Sequence, residues 1–358
     1  MIWHRKKTCL DDTPIQNFDC DTGDEKMVLI FHWKRCRRTR FILVFLFCIQ
    51  LLRYSLFHPN IYYGSNNDQI LIDAIVTIGM CGFHATEMVA ALRKNGFWSK
   101  PIYIITDDPK ENQCNERNLC NIIDVRGNHP KFDNEDDFNE YVQGIHTFPV
   151  DIYSKWHKTQ IFELIPRDDN INTVLFMDAD LLAQKSLIDN WLPSIQHMLN
   201  DRYPHENAHD CELILYPERW YTTLPIIGDN NPSLTGKFNS GMMILNRESS
   251  RNILRRWGDL LVRPPFVGRD QGKLTQAIEE MNTHVCFLPD RWTHIQNEAD
   301  LLDRLWFKLM GKGTFLHIAS AKKKRKKYKE WNKRLQKKCN YSDLTYSKQT
   351  QSRKYDSF

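Results

Sequence analysis

Five short apolar runs, rich in β-branched residues and each closed by a turn, constrain this chain most. They are Asp73–Ile78 (DAIVTI), Ile102–Thr106 (IYIIT), Asn121–Val125 (NIIDV), Thr173–Met177 (TVLFM) and Met242–Leu245 (MMIL). Near-continuous apolar runs of this length read as strands buried on both faces. Shorter runs of the same kind lie at Leu213–Tyr216, Val285–Leu288 and Thr314–Leu316. Amphipathic stretches at about Ala85–Lys94, Tyr153–Leu164, Ser249–Leu261 and Gln271–Met281 read as helices. Strands separated by helices indicate an α/β sheet covered by helices on both faces. No internal repeat is present, and the roughly 250 residues that carry the pattern suit one large domain.

Composition excludes other classes. Of 358 residues, 41% are hydrophobic and 26% charged, which rules out a wholly disordered chain, a collagen-like repeat and a polytopic membrane protein. The net charge of +5 hides three regions. Residues 1–40 hold 9 basic and 6 acidic residues, residues 58–320 hold 25 and 35, and residues 321–358 hold 14 and 3. An acidic globule therefore lies between basic ends.

One stretch suits a membrane. Phe41–Leu52 (FILVFLFCIQLL) is followed by Arg53 and Tyr54–Phe57. Together they form a short span at the lower edge of the bilayer range. Lys34, Arg35, Arg37, Arg38 and Arg40 crowd its N-terminal side, which keeps that side cytoplasmic. Arg53 snorkels to the far headgroups. The run begins too late for a cleaved signal peptide; a buried core helix is the other reading. The expected organisation is a cytoplasmic tail at 1–40, a signal anchor at 41–57, a stem at 58–70, a lumenal domain at 71–325 and a basic C-terminal tail at 326–358. So short a span suits the thin membranes of the early secretory pathway, the endoplasmic reticulum or Golgi. Cys81, Cys114, Cys120, Cys211, Cys286 and Cys339 would then be lumenal, an even number that permits up to three disulfides. Cys114 and Cys120 are close enough to bracket a loop, and the remaining connectivity stays open. The absence of a CxxC pair disfavours a zinc ribbon, and the single usable sequon, Asn340-Tyr341-Ser342, agrees with a lumenal location.

Four groups of residues bear on chemistry. Asp178-Ala179-Asp180 directly follows the TVLFM strand, and ligands of open α/β sheets bind beyond the carboxyl ends of strands. Two carboxylates one residue apart repel unless a cation joins them, and a hard divalent ion would do so. A solvated acidic turn fits the same residues. Asn239-Ser240-Gly241 stands before the MMIL strand, where small residues permit close backbone approach to a ligand; an ordinary turn is the plainer reading. Asp270-Gln271-Gly272 opens a helix, either as a cap or as a carboxylate and carboxamide facing a substrate. His317 ends a short strand and Lys322–Lys327 (KKKRKK) follows. Imidazole is a good ligand for Mn²⁺ and lysines hold phosphate, while a structural histidine and a solvated lysine run account for the same residues.

In this order on one α/β domain, DxD, NSG, DQG and a late His followed by Lys resemble glycosyltransferase family 8, the glycogenin-like group with the GT-A fold. The likeness runs from about Asp73 to Lys323. It includes the opening AIVTI strand and Trp156-His157-Lys158 on the helix before the DxD strand. The resemblance implies a GT-A fold with a central mixed, mostly parallel sheet flanked by helices, and retaining transfer from a UDP-sugar. It implies Mn²⁺ at Asp178, Asp180 and His317, with Lys323 on the phosphates and Thr77 near the uridine. Lys158, Asn239, Asp270 and Gln271 would surround the donor sugar, with Lys158, Asp270 and Gln271 as the catalytic residues and Ser240 and Gly241 among those that bind the donor. The chain departs from the family at its closing motif, His-x-x-Gly-x-x-Lys-Pro-Trp, where Ser320 replaces Gly and Lys324-Arg325 replace Pro-Trp. Met80–Thr86 also lacks a match for the family's base-stacking tyrosine. The expected partners are a UDP-sugar donor and a glycan, protein or lipid acceptor, with the membrane held by one N-terminal helix and no nucleic acid. Two other functions compete. A nucleotidyltransferase also places carboxylates and a metal at strand ends, although the anchor and the NSG and DQG tripeptides disfavour it. A non-catalytic, membrane-anchored binding protein would use the basic tail on anionic glycans or headgroups.

Overall fold

The strands form where the apolar runs lie, because their residues have a core to enter on both faces. β1 (Ala74–Ile78), β2 (Ile102–Thr106) and β4 (Thr173–Met177) are buried almost throughout, whereas β3 (Asn121–Asp124) is exposed at both ends. The burial difference matches their places in a seven-stranded sheet of order β3-β2-β1-β4-β7-β6-β8. The other members are β6 (Leu213–Pro217), β7 (Phe238–Asn246) and β8 (Val285–Phe287). β1 pairs in parallel with β2 and β4, as do β2 with β3 and β6 with β8, while β7 runs antiparallel to both β4 and β6. The sheet is thus mixed and mostly parallel, as expected.

The computed structural model describes residues 71–115, 119–148, 150–167, 170–202, 211–217, 238–266, 270–288, 294–297, 307 and 313–318. The residues expected to form a cytoplasmic tail, an anchor at 41–57, a stem and a basic C-terminal tail, and Lys323, lie outside the described residues. Among the described residues no helix is long and apolar enough to cross a membrane.

Alternate residues of each strand feed two cores. Ile75, Ile102, Ile104, Leu175 and Met177 meet Met88, Val89 and Leu92 of α1 (Thr86–Lys94). Ala74, Val76, Val174 and Phe176 meet Ile253, Leu254 and Trp257 of α6 (Arg251–Leu261), and Leu274 and Ile278 of α7 (Asp270–Met281). Full burial of each large aliphatic side chain contributes about 1.5–3 kcal/mol. A second, three-stranded sheet sets β10 (Phe315–His317) between β5 (Leu181–Ala183) and β9 (Ile295–Asn297).

Three helical features depart from the sequence expectation. α2 (Glu135–Thr147) was not expected, because its first turn is a run of acids. Those acids favour the positive end of the helix, Asn134 Oδ1 caps the Asp137 amide at 2.8 Å, and Tyr141 and Ile145 supply the buried face. The single helix expected over Tyr153–Leu164 is a wide turn at Val150–Ser154 followed by α3 (Lys155–Thr159) and α4 (Ile161–Leu164), interrupted at Gln160. α5 (Leu192–Arg202) also lacked a clear periodic signal.

Disulfides join Cys114 to Cys120 and Cys211 to Cys286, the latter tying the approach to β6 to its neighbour β8. Cys81 is disulfide-bonded as well.

Candidate active site

The carboxyl end of β4 and the start of the antiparallel β7 lie at the same edge of the sheet, since Met177 pairs with Met242. One step further, the Asp178 amide donates to the Gly241 carbonyl at 2.7 Å. On its other side β7 pairs Leu215 with Met243 but Tyr216 with Asn239, so Ser240, Gly241 and Met242 bulge from that ladder. Bulges re-aim side chains beside functional sites, and this one carries Ser240 towards α3 and α7. Asn239, Ser240 and Gly241 therefore belong to the strand itself and not to a turn ahead of it. Asn239 Oδ1 accepts the Gly241 amide at 3.0 Å, which fixes the bulge. Gly241 leaves room for the Asp178 carboxylate, since an added Cβ would sit 2.8 Å from Asp178 Oδ2 and displace it.

Lys158 lies at the centre of the cluster. Its side chain is 1% exposed, and its Nζ donates to the Ser240 carbonyl at 3.1 Å and to Asp270 Oδ2 at 3.1 Å. Asp178 Oδ1 is 3.0 Å from the same nitrogen. The Ser240 hydroxyl donates to Asp270 Oδ2 at 2.5 Å, and Trp257 Nε1 donates to the Asp270 carbonyl at 3.0 Å, anchoring the start of α7 on α6. Lys155, one turn earlier on α3 and 20% exposed, reaches Asp178 Oδ1 at 3.8 Å and Asp270 Oδ2 at 4.0 Å. Burial acts to raise the Asp270 carboxyl, but the two ammonium groups and the Ser240 hydroxyl outweigh it and hold this acid well below the usual carboxylate range.

Asp178-Ala179-Asp180 turns the chain from β4 into β5, closed by the Leu181 amide on the Asp178 carbonyl at 3.0 Å. β5 pairs with β10 so that Leu181 faces His317, and the Ile318 amide donates to the Asp180 carbonyl at 3.0 Å. His317 Nε2 is 3.5 Å from Asp180 Oδ2. A carboxylate and an imidazole at this separation are suitable donors for a Mn²⁺-like ion. Asp178 Oδ1 faces the two lysines, and among the described residues no three acidic, histidine or cysteine side chains form an ion-holding cluster.

The loop after β1 approaches the same edge. Thr77 is fully buried and its hydroxyl has no hydrogen-bond partner among the described residues. Buried Asn112 organises the loop: its Oδ1 accepts the Ala85 amide at 2.8 Å, and its Nδ2 donates to the Gly79 carbonyl and the Thr106 hydroxyl, both at 3.0 Å. A Cβ on Gly79 would stand 2.4 Å from Asn112 Oδ1. Asp107 accepts the Cys81 amide at 3.1 Å, holding a residue whose φ is +55°. Behind α3, His157 Nδ1 lies 2.8 Å from the Tyr153 carbonyl, and the His129 ring stacks on Tyr153 at 4.6 Å. Burial pushes each of these two imidazoles down to about 4, which keeps them neutral at ordinary pH.

The structure thus gathers Lys158, Asp178, Asn239, Ser240, Gly241 and Asp270 at one sheet edge, and pairs Asp180 with His317 beside them. Gln271 is half-buried on the first turn of α7, and Lys323 lies outside the described residues. Lys155 and Asn112 were missed. Lys155 had a legible signal, its three-residue spacing from Lys158 on one helix face. Asn112 sits in a polar turn and had none.

No family model matches the chain, and no curated protein matches it. Among solved structures it is similar to the galactosyltransferase LgtC in complex with donor and acceptor sugar analogues, at 12% identity and a TM-score of 0.42 over 75% of this chain and 96% of that one. Mouse xyloside xylosyltransferase 1 in its apo form is similar at 14% identity and a TM-score of 0.38, over 69% of this chain and 97% of that one. The glycosyltransferase GlyE of Streptococcus pneumoniae TIGR4 is similar at 13% and 0.41, over 74% of this chain and 60% of that one. Likeness at this level assigns no activity to the chain.

Proposed function

We propose that this protein is a single-pass type II glycosyltransferase of the GT-A fold, resident in the Golgi or endoplasmic reticulum membrane. It transfers a sugar from a UDP-sugar, with retention of configuration, to a glycan, protein or lipid acceptor. The observation that carries this reading is the convergence of Lys155, Lys158, Asp178, Ser240 and Asp270 at the carboxyl end of β4. That edge is where open α/β sheets bind ligands. The disulfides support a lumenal domain, because such bonds persist in oxidising compartments.

In this reading each residue has a distinct task. Lys155, the more exposed ammonium, faces the diphosphate and stabilises the charge that grows on UDP as it leaves. Asp270, Gln271 and Asn239 line the donor sugar and orient it through its hydroxyls. Lys158 and Ser240 keep Asp270 ionised and fixed in place. Thr77 borders the uridine, beside the loop that Asn112 holds, and the family resemblance assigns Lys323 to the phosphates. A divalent ion would be held by Asp180 and His317, where it would supply neutralisation of the diphosphate.

The test is a screen of UDP-sugars with the full-length chain in detergent, with and without Mn²⁺, followed by Asp180→Ala. Transfer or hydrolysis from one donor is expected, and Asp180→Ala is expected to abolish it. Turnover untouched by that substitution refutes the site. Consumption of UTP and a sugar phosphate, with no use of any UDP-sugar, would identify a nucleotidyltransferase instead.

A further inference from the structure

Among the described residues six large apolar side chains stand exposed, and four of them gather at one edge of the molecule. Leu71 precedes β1, Phe97 lies between α1 and β2, and Leu119 precedes β3. All three are therefore at the amino ends of parallel strands, opposite the candidate site. They are 60%, 63% and 67% exposed. The fourth, Ile188, comes beside Phe97 because the Leu187 amide donates to the Gly96 carbonyl at 2.9 Å. Arg93, in the last turn of α1, ties the edge together. Its guanidinium donates to the carbonyls of Trp98, Lys100 and Leu119, and Lys100 Nζ donates to the Ile72 carbonyl at 2.7 Å. Phe97 and Leu119 are held at φ of +52° and +42°, where large side chains are uncommon.

Exposed Lys94 and Lys100 stand among these residues, and so does Lys185, whose neighbours Ala183 and Leu187 bond to Asn95 and Gly96. Asp73 and Asp189, acids adjoining this edge in sequence, are engaged internally, on the Asn172 and Thr173 amides and on the Ser186 hydroxyl. Apolar side chains interleaved with lysines suit the boundary between acyl chains and headgroups, where the ammonium groups reach phosphate. A protein partner fits less well, because lysine is depleted at protein interfaces. The expected anchor supplies the bilayer, since only residues 58–70 separate the apolar run ending at Phe57 from Leu71. Even fully extended, a stretch of that length reaches about 45 Å at most. Leu71 is thereby confined near the membrane surface, and the high effective concentration lets a weak contact suffice.

We propose that the amino-end edge of β1, β2 and β3 is a membrane-docking face that lies on a phospholipid surface. Leu71, Phe97, Leu119 and Ile188 enter the headgroup boundary, and the lysines rest on the phosphates. The strands then rise from the bilayer and carry the candidate site, at their carboxyl ends, about 15–20 Å above it. This rests on the functional reading above only in placing a membrane anchor at 41–57.

The test is lipid photocrosslinking with the full-length chain in vesicles of phosphatidylcholine and phosphatidylserine. Benzoyl-phenylalanine replaces Phe97, Leu119 or, as a control, the exposed Lys110 in the turn after β2 at the carboxyl edge. Lipid adducts, read by mass spectrometry, are expected to be at least about tenfold more abundant at 97 and 119 than at 110. Phe97→Asp with Ile188→Asp is expected to lower the yield at 119 at least about fivefold. Yields at 97 and 119 no higher than at 110 overturn the proposal, as does a yield at 119 unmoved by the two aspartates. Protein adducts in place of lipid ones also overturn it and mark the edge as a protein interface. A carbonate wash separates this proposal from the functional reading. A chain released by the wash, yet giving lipid adducts at 97 and 119, upholds the docking face and refutes the anchor. A chain retained by the wash without such adducts refutes the docking face and leaves the anchor standing.

Discussion

Replacing Lys158 by Met strands two carboxylates. At 3.0 and 3.1 Å from Nζ, each ion pair represents about 5 kcal/mol of attraction at an effective dielectric of about 20. Burial of the charges offsets most of that, and breaking a buried pair by removing one partner costs about 3–5 kcal/mol. Melting temperature in a domain of this size falls about 2–4 °C per kcal/mol, so a drop of roughly 10 °C is expected. A pH series isolates the cause. Asp270 has a depressed folded pKa, so its stabilisation is present above the unfolded value near 4 and is lost as pH falls below it. Without Lys158 the Lys155 ammonium at 4.0 Å and the Ser240 hydroxyl still face Asp270, so its folded pKa is depressed less. The acid-side loss of stability becomes smaller, which narrows the gap from wild type as pH falls below about 4. The assay is thermal and urea unfolding of the full-length chain from pH 7 to pH 3, with Lys158→Met/Asp270→Asn expected to recover much of the deficit. A melting temperature within 2 °C of wild type, or a gap from wild type that stays constant on the acid side, would falsify this account.

Other expectations follow from the same geometry. Gly241→Ala drives a methyl into Asp178; transfer should fall at least about tenfold, with only a small change in melting temperature, because a side chain and not the backbone gives way. Asn112→Ala leaves the buried Ala85 amide without its partner, while the Gly79 carbonyl keeps the Thr106 hydroxyl, and should cost about 1–3 kcal/mol in urea unfolding. His129 and His157, held neutral by burial with pKa values of about 4, oppose folding at low pH. Stability should decline as pH falls from about 6.5 to 4, by up to about 3 kcal/mol for the buried His157 and by less for the half-buried His129, which solvent screens, and His157→Gln should flatten that part of the profile. Removing the Cys211–Cys286 bond, which closes a separation of 75 residues, should cost about 4 kcal/mol, measured by chemical unfolding of the Cys211→Ser/Cys286→Ser chain.

The α/β architecture was legible because every central strand is apolar on both faces and so announces itself without a partner. Asp178 and Asp180 were legible for the same reason, as carboxylates at the end of such a strand. Elements whose pattern depends on neighbours were not. α2 hides its buried face behind an acidic first turn, and the short strands β5 and β9 exist only through pairing with β10.

By itself the sequence determined the strand–helix alternation, the acidic pair, the basic flanks of the apolar run and the cysteines available for crosslinking. These are local properties, written in residue type and spacing. Tertiary structure alone decided which charge meets which. Lys158 and Asp270 are separated by 112 positions and Lys158 and Ser240 by 82, and no local pattern encodes a contact at that distance. The bulge in β7 aims Ser240, burial strips water from Lys158, and the pairing of β5 with β10 brings His317 to Asp180. That packing sets Asp178 beside Lys158, since a buried ammonium must find its counter-charges wherever the fold has placed them.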